Sequence, residues 1–453
     1  MLLHDKEGCL KQIMQVGDPV MEVRTKQMNI SNSSRLKVFF SITVALSYYL
    51  SQYSSFIPGI TLGELFLVLA VVALLIQNRG RVRVSNTRIF LAYYIVALIS
   101  SVIALAISKP QFSLASITEI ITRWIRYFGY IVFYVVFCDG VPDKRRIIKV
   151  YRYICLAVSV YAIMQYVIYL LFRFYLPVNI LPFNISRDVS AENLISVAQS
   201  SFMRARAVFV EPGYLAKFLL PGIILSFYGW EELEDDKVNW LSVVIISVAI
   251  LMSGSVQGIM TLAISFMLIA FAQRKITSKH ILYGLIVVAM VFIIFFIVQR
   301  TGFLARPINR INNLLQGESM DRSTQLRVFR GWAYWWQLPL EHKLFGVGMG
   351  NAANYANEHD IYTVFDYYHR SENTLGYMSG ISSILVTHGF VCALMFVGMI
   401  IKFKKIIGKA GFAILTQYVV LLFGGGSFLS VLGVLYFSLA FSDIRSINNK
   451  ERI

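Results

Sequence analysis

Apolar blocks of roughly bilayer-spanning length follow one another along almost the whole chain. They lie near residues 38–57, 62–78, 89–108, 119–138, 151–172, 213–229, 240–253, 256–272, 281–299, 381–401, 411–423 and 427–442. A backbone in hydrocarbon must satisfy its own hydrogen bonds, which leaves helices or closed barrels. The blocks are continuous rather than alternating, so the pattern predicts an all-α polytopic membrane protein of about 12 transmembrane helices. Composition agrees: 57% of the 453 residues are hydrophobic and 15% charged, too few charges for the surface of a soluble domain of that size. Pro58-Gly59 and Gly424-Gly425-Gly426 supply turns between blocks. The polar segment 1–37 reads as a cytosolic tail and not as a secretory signal, 38–442 as the transmembrane domain, and 443–453 as a second cytosolic tail.

The net charge of +17 does not point to nucleic acid, because most basic residues flank the apolar blocks, where they orient helices in an anionic membrane. With the N-terminus inside, 26 of the 42 Lys and Arg fall in cytosolic segments, counting Arg152 at the inner edge of its block, 13 in outer segments, and three (Arg123, Arg126, Lys217) deeper within spans. Short basic loops such as Arg79-Gly80-Arg81-Val82-Arg83 then lie inside, and both termini are cytoplasmic. The two sets also differ in kind. Lys and Arg are mixed inside, whereas 11 of the 13 outer residues are Arg. Orientation needs only positive charge; a planar, two-pronged donor is what phosphate or carboxylate oxygens need. The four cysteines (Cys9, Cys138, Cys155, Cys392) show no CxxC spacing, so neither disulfides nor a metal site is expected.

Two outer segments are long, 173–212 and 300–380. Segments of that length are functional or unstructured. The second contains Trp332, Tyr334, Trp335, Trp336 and Phe345, so it is expected to form a small helical cap between spans nine and ten, against the membrane. No internal repeat suggests the paired halves of a transporter.

Several constellations fit anion handling. Where the first long segment re-enters the membrane, Arg204, Arg206, Glu211 and Lys217 gather around Pro212, which suits the first turn of a helix. The alternative is that these charges snorkel and pair with one another. In the fourth span, Glu119, Arg123 and Arg126 share a helical face, so they line a watery cavity or form an internal Glu119–Arg123 pair. Arg327 and Arg330, three apart on a helix-like stretch ending at Trp332, offer a further basic face, which in the bland reading is solvated. Gly346, Gly348 and Gly350 supply a loop for close backbone approach, without the strand–helix unit of a nucleotide fingerprint. Finally, His369, Arg370 and Glu372 gather before the tenth span, where His or Glu is able to act as a base toward a sugar hydroxyl.

At these residues the chain resembles the bacterial O-antigen polymerase (Wzy-like) and O-antigen ligase (WaaL-like) superfamily of membrane glycosyltransferases. The resemblance rests on the block Arg206 to Pro212, on Arg327/Arg330, Trp332, Pro339 and Gly346, Gly348, Gly350, and on Asn373, Leu375 and His388-Gly389. It implies a GT-C-like membrane fold with a large outer loop, in the bacterial inner membrane. It also implies inverting transfer of a glycan from an undecaprenyl-pyrophosphate-linked oligosaccharide, with no metal and no cofactor. The acceptor is another lipid-linked repeat unit in a polymerase or lipid A–core in a ligase. Arg204, Arg206, Lys217, Arg123, Arg126, Arg327, Arg330 and Arg370 are then the pyrophosphate and substrate contacts. His369, Glu372 and Glu211 are the candidate bases. Expected partners are the lipid-linked substrates, membrane lipids, a chain-length regulator and a flippase, but no nucleic acid. A lipid-linked oligosaccharide transporter is the competing class, and it leaves the long outer segment unexplained.

Overall fold

The computed structural model describes residues 38–77, 86–108, 114–139, 144–178, 181, 183–185, 204–228, 239–272, 325–363 and 378–442. Among these the chain is helical, with two isolated β-bridges and no strand. The helices in chain order are α1 (Val38–Leu50), α2 (Leu62–Gln77), α3 (Arg88–Ser108), α4 (Leu114–Asp139), α5 (Lys144–Phe172), α6 (Pro212–Tyr228), α7 (Trp240–Met252) and α8 (Val256–Ala272). The short helices α9 (Arg330–Gln337), α10 (Leu340–Phe345) and α11 (Ala352–Glu358) follow. Then come α12 (Gly380–Ile406), α13 (Lys409–Phe423) and α14 (Val431–Phe441).

Each apolar block of the sequence contains a helix, except 281–299, which lies outside the described residues; in the first block, 38–57, the helix ends at Leu50 and the chain turns through bridges at Tyr53 and Ser54. Four helices are long and apolar enough to cross a bilayer by length and composition: Arg88–Ser108, Ile117–Asp139, Arg145–Phe172 and Gly380–Ile406. Shorter apolar helices accompany them, and the whole is a multi-pass membrane protein.

Local chemistry sets the helix ends. Thr61 and Glu64 form a reciprocal capping box at the start of α2. The Thr61 N–H donates to Glu64 Oε2 at 2.8 Å, and the Glu64 N–H donates to Thr61 Oγ1 at 3.3 Å. At α3, Asp139 on α4 accepts the N–H of Asn86 (3.0 Å) and of Thr87 (3.1 Å) and the Thr87 hydroxyl (2.8 Å), pinning the two helices together. The last block begins at Val431 and not at 427, because Ser430 caps α14 through the Gly433 N–H.

Two helices form the centre. All 11 residues of α14 are buried, as are 14 of the 17 in α6, the pattern of helices packed on every side. Pro221 lies inside α6 and has no N–H to offer the carbonyl of Lys217, four residues earlier. Tyr436 of α14 fills the vacancy, its hydroxyl donating to Lys217 O at 2.8 Å. The Tyr151 hydroxyl also donates to Phe218 O, and Gln417 Nε2 reaches Leu220 O at 3.1 Å. A proline in an apolar helix is thus tolerated because a neighbouring helix satisfies the freed carbonyl.

Helices α9 to α11 represent the second long segment. They reach deeper than a cap resting on helix ends would. Ser100 of α3 donates to Phe345 O at 2.8 Å, and Met349 N–H donates to Ser101 Oγ at 3.1 Å. These serines lie about 10 Å in from the end of α3 at Ser108, at 1.5 Å per residue.

Candidate functional site

Residues 204–211 form an irregular segment ahead of α6, tied down along its length. Arg204 spends its guanidinium on the α7–α8 turn, Nε donating to Ser253 O and Nη2 to Gly254 O, both at 2.9 Å. The Ala205 N–H donates to Met252 O at 3.0 Å. Gln165 of α5 then receives the N–H of Arg206 (3.1 Å) and of Ala207 (3.0 Å), and Gln52 receives the N–H of Val210 (2.7 Å). Phe209 is fully buried against the rings of Tyr48, Tyr49 and Phe218. Arg206 donates to Val210 O at 3.3 Å, and burial holds its guanidinium below the ordinary pKa.

The segment delivers Glu211 and Pro212 to the start of α6. One to two turns further, Lys217 is 8% exposed, with Nζ donating to Gly425 O at 3.2 Å and lying 5.9 Å from the Tyr214 ring centre. Gly425 belongs to the triple-glycine turn between α13 and α14. A methyl group there would sit 3.3 Å from Arg327 Cδ, so Arg327 lies against the same turn. Glu211 and Arg327 are both close enough to Lys217 to act on its charge. Residues from three distant parts of the sequence (Glu211 and Lys217, Arg327, Gly425) thus meet at one place. Arg327 reaches it from a π-helical turn, Gln325–Phe329, a helix irregularity often found at functional sites.

The other residues read from the sequence are distributed differently. Arg330, expected to share a face with Arg327, is 2% exposed, whereas Arg327 remains half-buried. The π turn ends between them and the surroundings diverge. Arg126 makes a two-pronged pair with Glu64, Nε to Oε1 at 2.8 Å and Nη2 to Oε2 at 3.2 Å, and the Tyr130 hydroxyl donates to the same carboxylate. The ion pair at this level is therefore Arg126–Glu64, and among the described residues Glu119 and Arg123 form none with each other. Arg123 is exposed and lies over Gly350, whose Cα–H leaves only the room that a methyl group 3.0 Å from Arg123 Cγ would take. His369, Arg370 and Glu372 lie outside the described residues.

The glycine loop works by close approach, as its composition suggests. Val347 N–H donates to Val386 O at 2.8 Å and Gly348 N–H to Thr387 O at 3.1 Å, lacing the loop to the interior of α12. A methyl on Gly389 (φ 84°) would lie 2.5 Å from Gly346 N, so neither backbone tolerates a side chain there. The lacing brings out one residue named above only as part of a motif and given no role. His388 is 4% exposed; Tyr93 OH lies 2.8 Å from its Nδ1, and its Nε2 has no partner among the described residues. The available signal was an ionisable residue inside an apolar block.

Comparison with known proteins adds one match. Residues 241–397 match the family model described as O-antigen ligase, a stretch running from α7 through Arg327, Arg330 and the glycine loop into α12. No curated protein matches the chain.

Proposed function

We propose, from the match of residues 241–397 to the O-antigen ligase family model, that the protein is a polymerase of the O-antigen polymerase and ligase superfamily. It joins undecaprenyl-pyrophosphate-linked oligosaccharide repeat units on the extracytoplasmic face of the inner membrane, within a bundle of about 12 spans with both termini inside. The observation that carries this reading is the meeting of Lys217 and Arg327 at the Gly425 turn, with Arg206 and Glu211 at the adjoining start of α6. Three cations, Lys217, Arg327 and Arg206, beside the single carboxylate of Glu211 leave this place net positive, a setting that favours a further anion. A lipid pyrophosphate is an anion delivered from the membrane.

The chemistry is a displacement. The acceptor hydroxyl oxygen bonds to the anomeric carbon while the bond from that carbon to the pyrophosphate oxygen breaks, inverting the centre. Lys217, Arg327 and Arg206 offset the charge that grows on the departing pyrophosphate. A carboxylate or imidazole takes the hydroxyl proton; Glu211, His369 and Glu372 are the residues proposed for it.

Lys217→Ala, Arg327→Ala and Arg206→Ala are each expected to abolish long polymer while a single-unit product persists. Normal chain lengths from all three would sink the assignment. The matched family's description as a ligase favours one second reading, transfer of the glycan to lipid A–core. A deletion strain separates the two. Core capped with one repeat unit marks a lost polymerase, and accumulated lipid-linked polymer marks a lost ligase.

A further inference from the structure

Two buried glutamines hold the 204–211 segment, and they do so through its backbone. Gln165 is 0% and Gln52 is 3% exposed. A carboxamide buried in an apolar helix is unfavourable until its donors and acceptors are met. The Gln165 group is fully used. Oε1 receives the N–H of Arg206 and Ala207, and Nε2 donates to Leu176 O at 3.3 Å and to Ala207 O at 3.5 Å. Gln52 receives Val210 N–H and donates to Tyr49 O at 3.1 Å.

Between these two anchors the chain makes a turn it would not choose. Ala207 has φ of 48°, in the left-handed region where a Cβ is disfavoured. The Gln165 side chain meets both the N–H and the C=O of this residue. The turn folds the Arg206 side chain back to Val210 O and sets Glu211 one residue ahead of α6. An ordinary loop requires none of this. Fixing a backbone at the mouth of the bundle matters where the side chains it carries must stand at set distances from a ligand.

We propose that Gln165 is a positioning residue for glycosyl transfer, holding Ala207 in its left-handed conformation so that Arg206 and Glu211 meet the lipid pyrophosphate in register. Gln52 is the second anchor. The inference rests on the polymerase reading for its chemistry, but the staple itself can be read without any substrate.

The experiment uses full-length protein in lipid nanodiscs, with a purified lipid-linked repeat unit and backbone amide hydrogen exchange. In Gln165→Leu, the amides of Arg206 and Ala207 are expected to exchange faster while Val210, held by Gln52, stays protected. The kcat falls by roughly 10- to 100-fold, the loss expected from a misplaced contact, with KM within about threefold. Adding Ala207→Gly restores several-fold of that loss, because glycine takes the left-handed conformation without the staple. A packing role for Gln165 would not respond to a change at residue 207. Gln165→Glu, neutral in so buried a place, keeps an oxygen for the two N–H groups and an O–H for the Ala207 carbonyl and so keeps slow exchange at 206 and 207, which serves if the leucine variant does not fold. Wild-type kcat and exchange in Gln165→Leu, fast exchange in Gln165→Glu, or a leucine loss that Ala207→Gly fails to lift would overturn the proposal. If wild-type protein transfers no sugar but the exchange pattern holds, the polymerase reading falls and the staple stands.

Discussion

Lys217 is the residue on which most of the architecture converges. Its backbone carbonyl, freed by Pro221, is capped by Tyr436, and its ammonium meets the Gly425 carbonyl. Tyr436→Phe removes the cap and leaves a buried carbonyl unmet, a change expected to cost about 1–3 kcal/mol. Thermal unfolding in detergent should show a lowered midpoint, and polymer length should shorten as Lys217 loses its setting. Glu64 and Arg126 behave differently. Replacing Glu64 with Ala strands a half-buried guanidinium and should destabilise by about 3 kcal/mol. Glu64→Leu with Arg126→Leu should be milder than the single change, because no lone charge is left behind. A double variant less stable than Glu64→Ala would show that the pair holds α2 to α4 beyond the cost of a stranded charge.

At the scale of elements, helix placement was legible because apolar length is a strong local signal. The Thr61…Glu64 spacing ahead of an apolar run likewise announces a helix start. The second duty of Glu64, toward Arg126 some 62 positions away, has no local signature. The glutamine staple was equally silent, since Gln52 acts on a residue 158 positions distant and carries no charge to mark it. The glycine loop was legible as a close approach, but its partner, the interior of α12, was not. That partner gives a sharp contrast between two glycines of one helix. At Gly389, alanine would add a left-handed strain of about 1–2 kcal/mol and drive a methyl into the Gly346 backbone. At Gly398 nothing lies within 4 Å of the added methyl, and alanine should change stability by about 0.5 kcal/mol or less. Unfolding midpoints of the two variants, side by side, test whether the lacing is as tight as the distances imply.

For the whole molecule, the alternation of the apolar blocks predicted that the turns at 58–61, 173–212, 253–255 and 424–426 share one end. The contacts among Gln52, just ahead of the first turn, Arg204, Ser253, Lys217 and Gly425 join those turns to one another. The convergence of Arg327 on the same place was beyond the sequence, because the distance from Lys217 is spanned only by tertiary packing. Orientation is open to direct labelling. Tyr362→Cys, at an exposed position, should react with a membrane-impermeant maleimide once the outer membrane is opened, and Lys405→Cys should not. The reverse pattern would invert the topology. One consequence reaches beyond the folded state. The helix packed on every side, α14, and the glycine turn ahead of it leave the ribosome long after Lys217 does. Lys217 therefore waits through the synthesis of 208 further residues for Gly425 and of 219 for Tyr436. Until then its lipid-facing neighbours stand in the membrane around an unfinished centre, so the site closes only after the helices that flank it have been inserted.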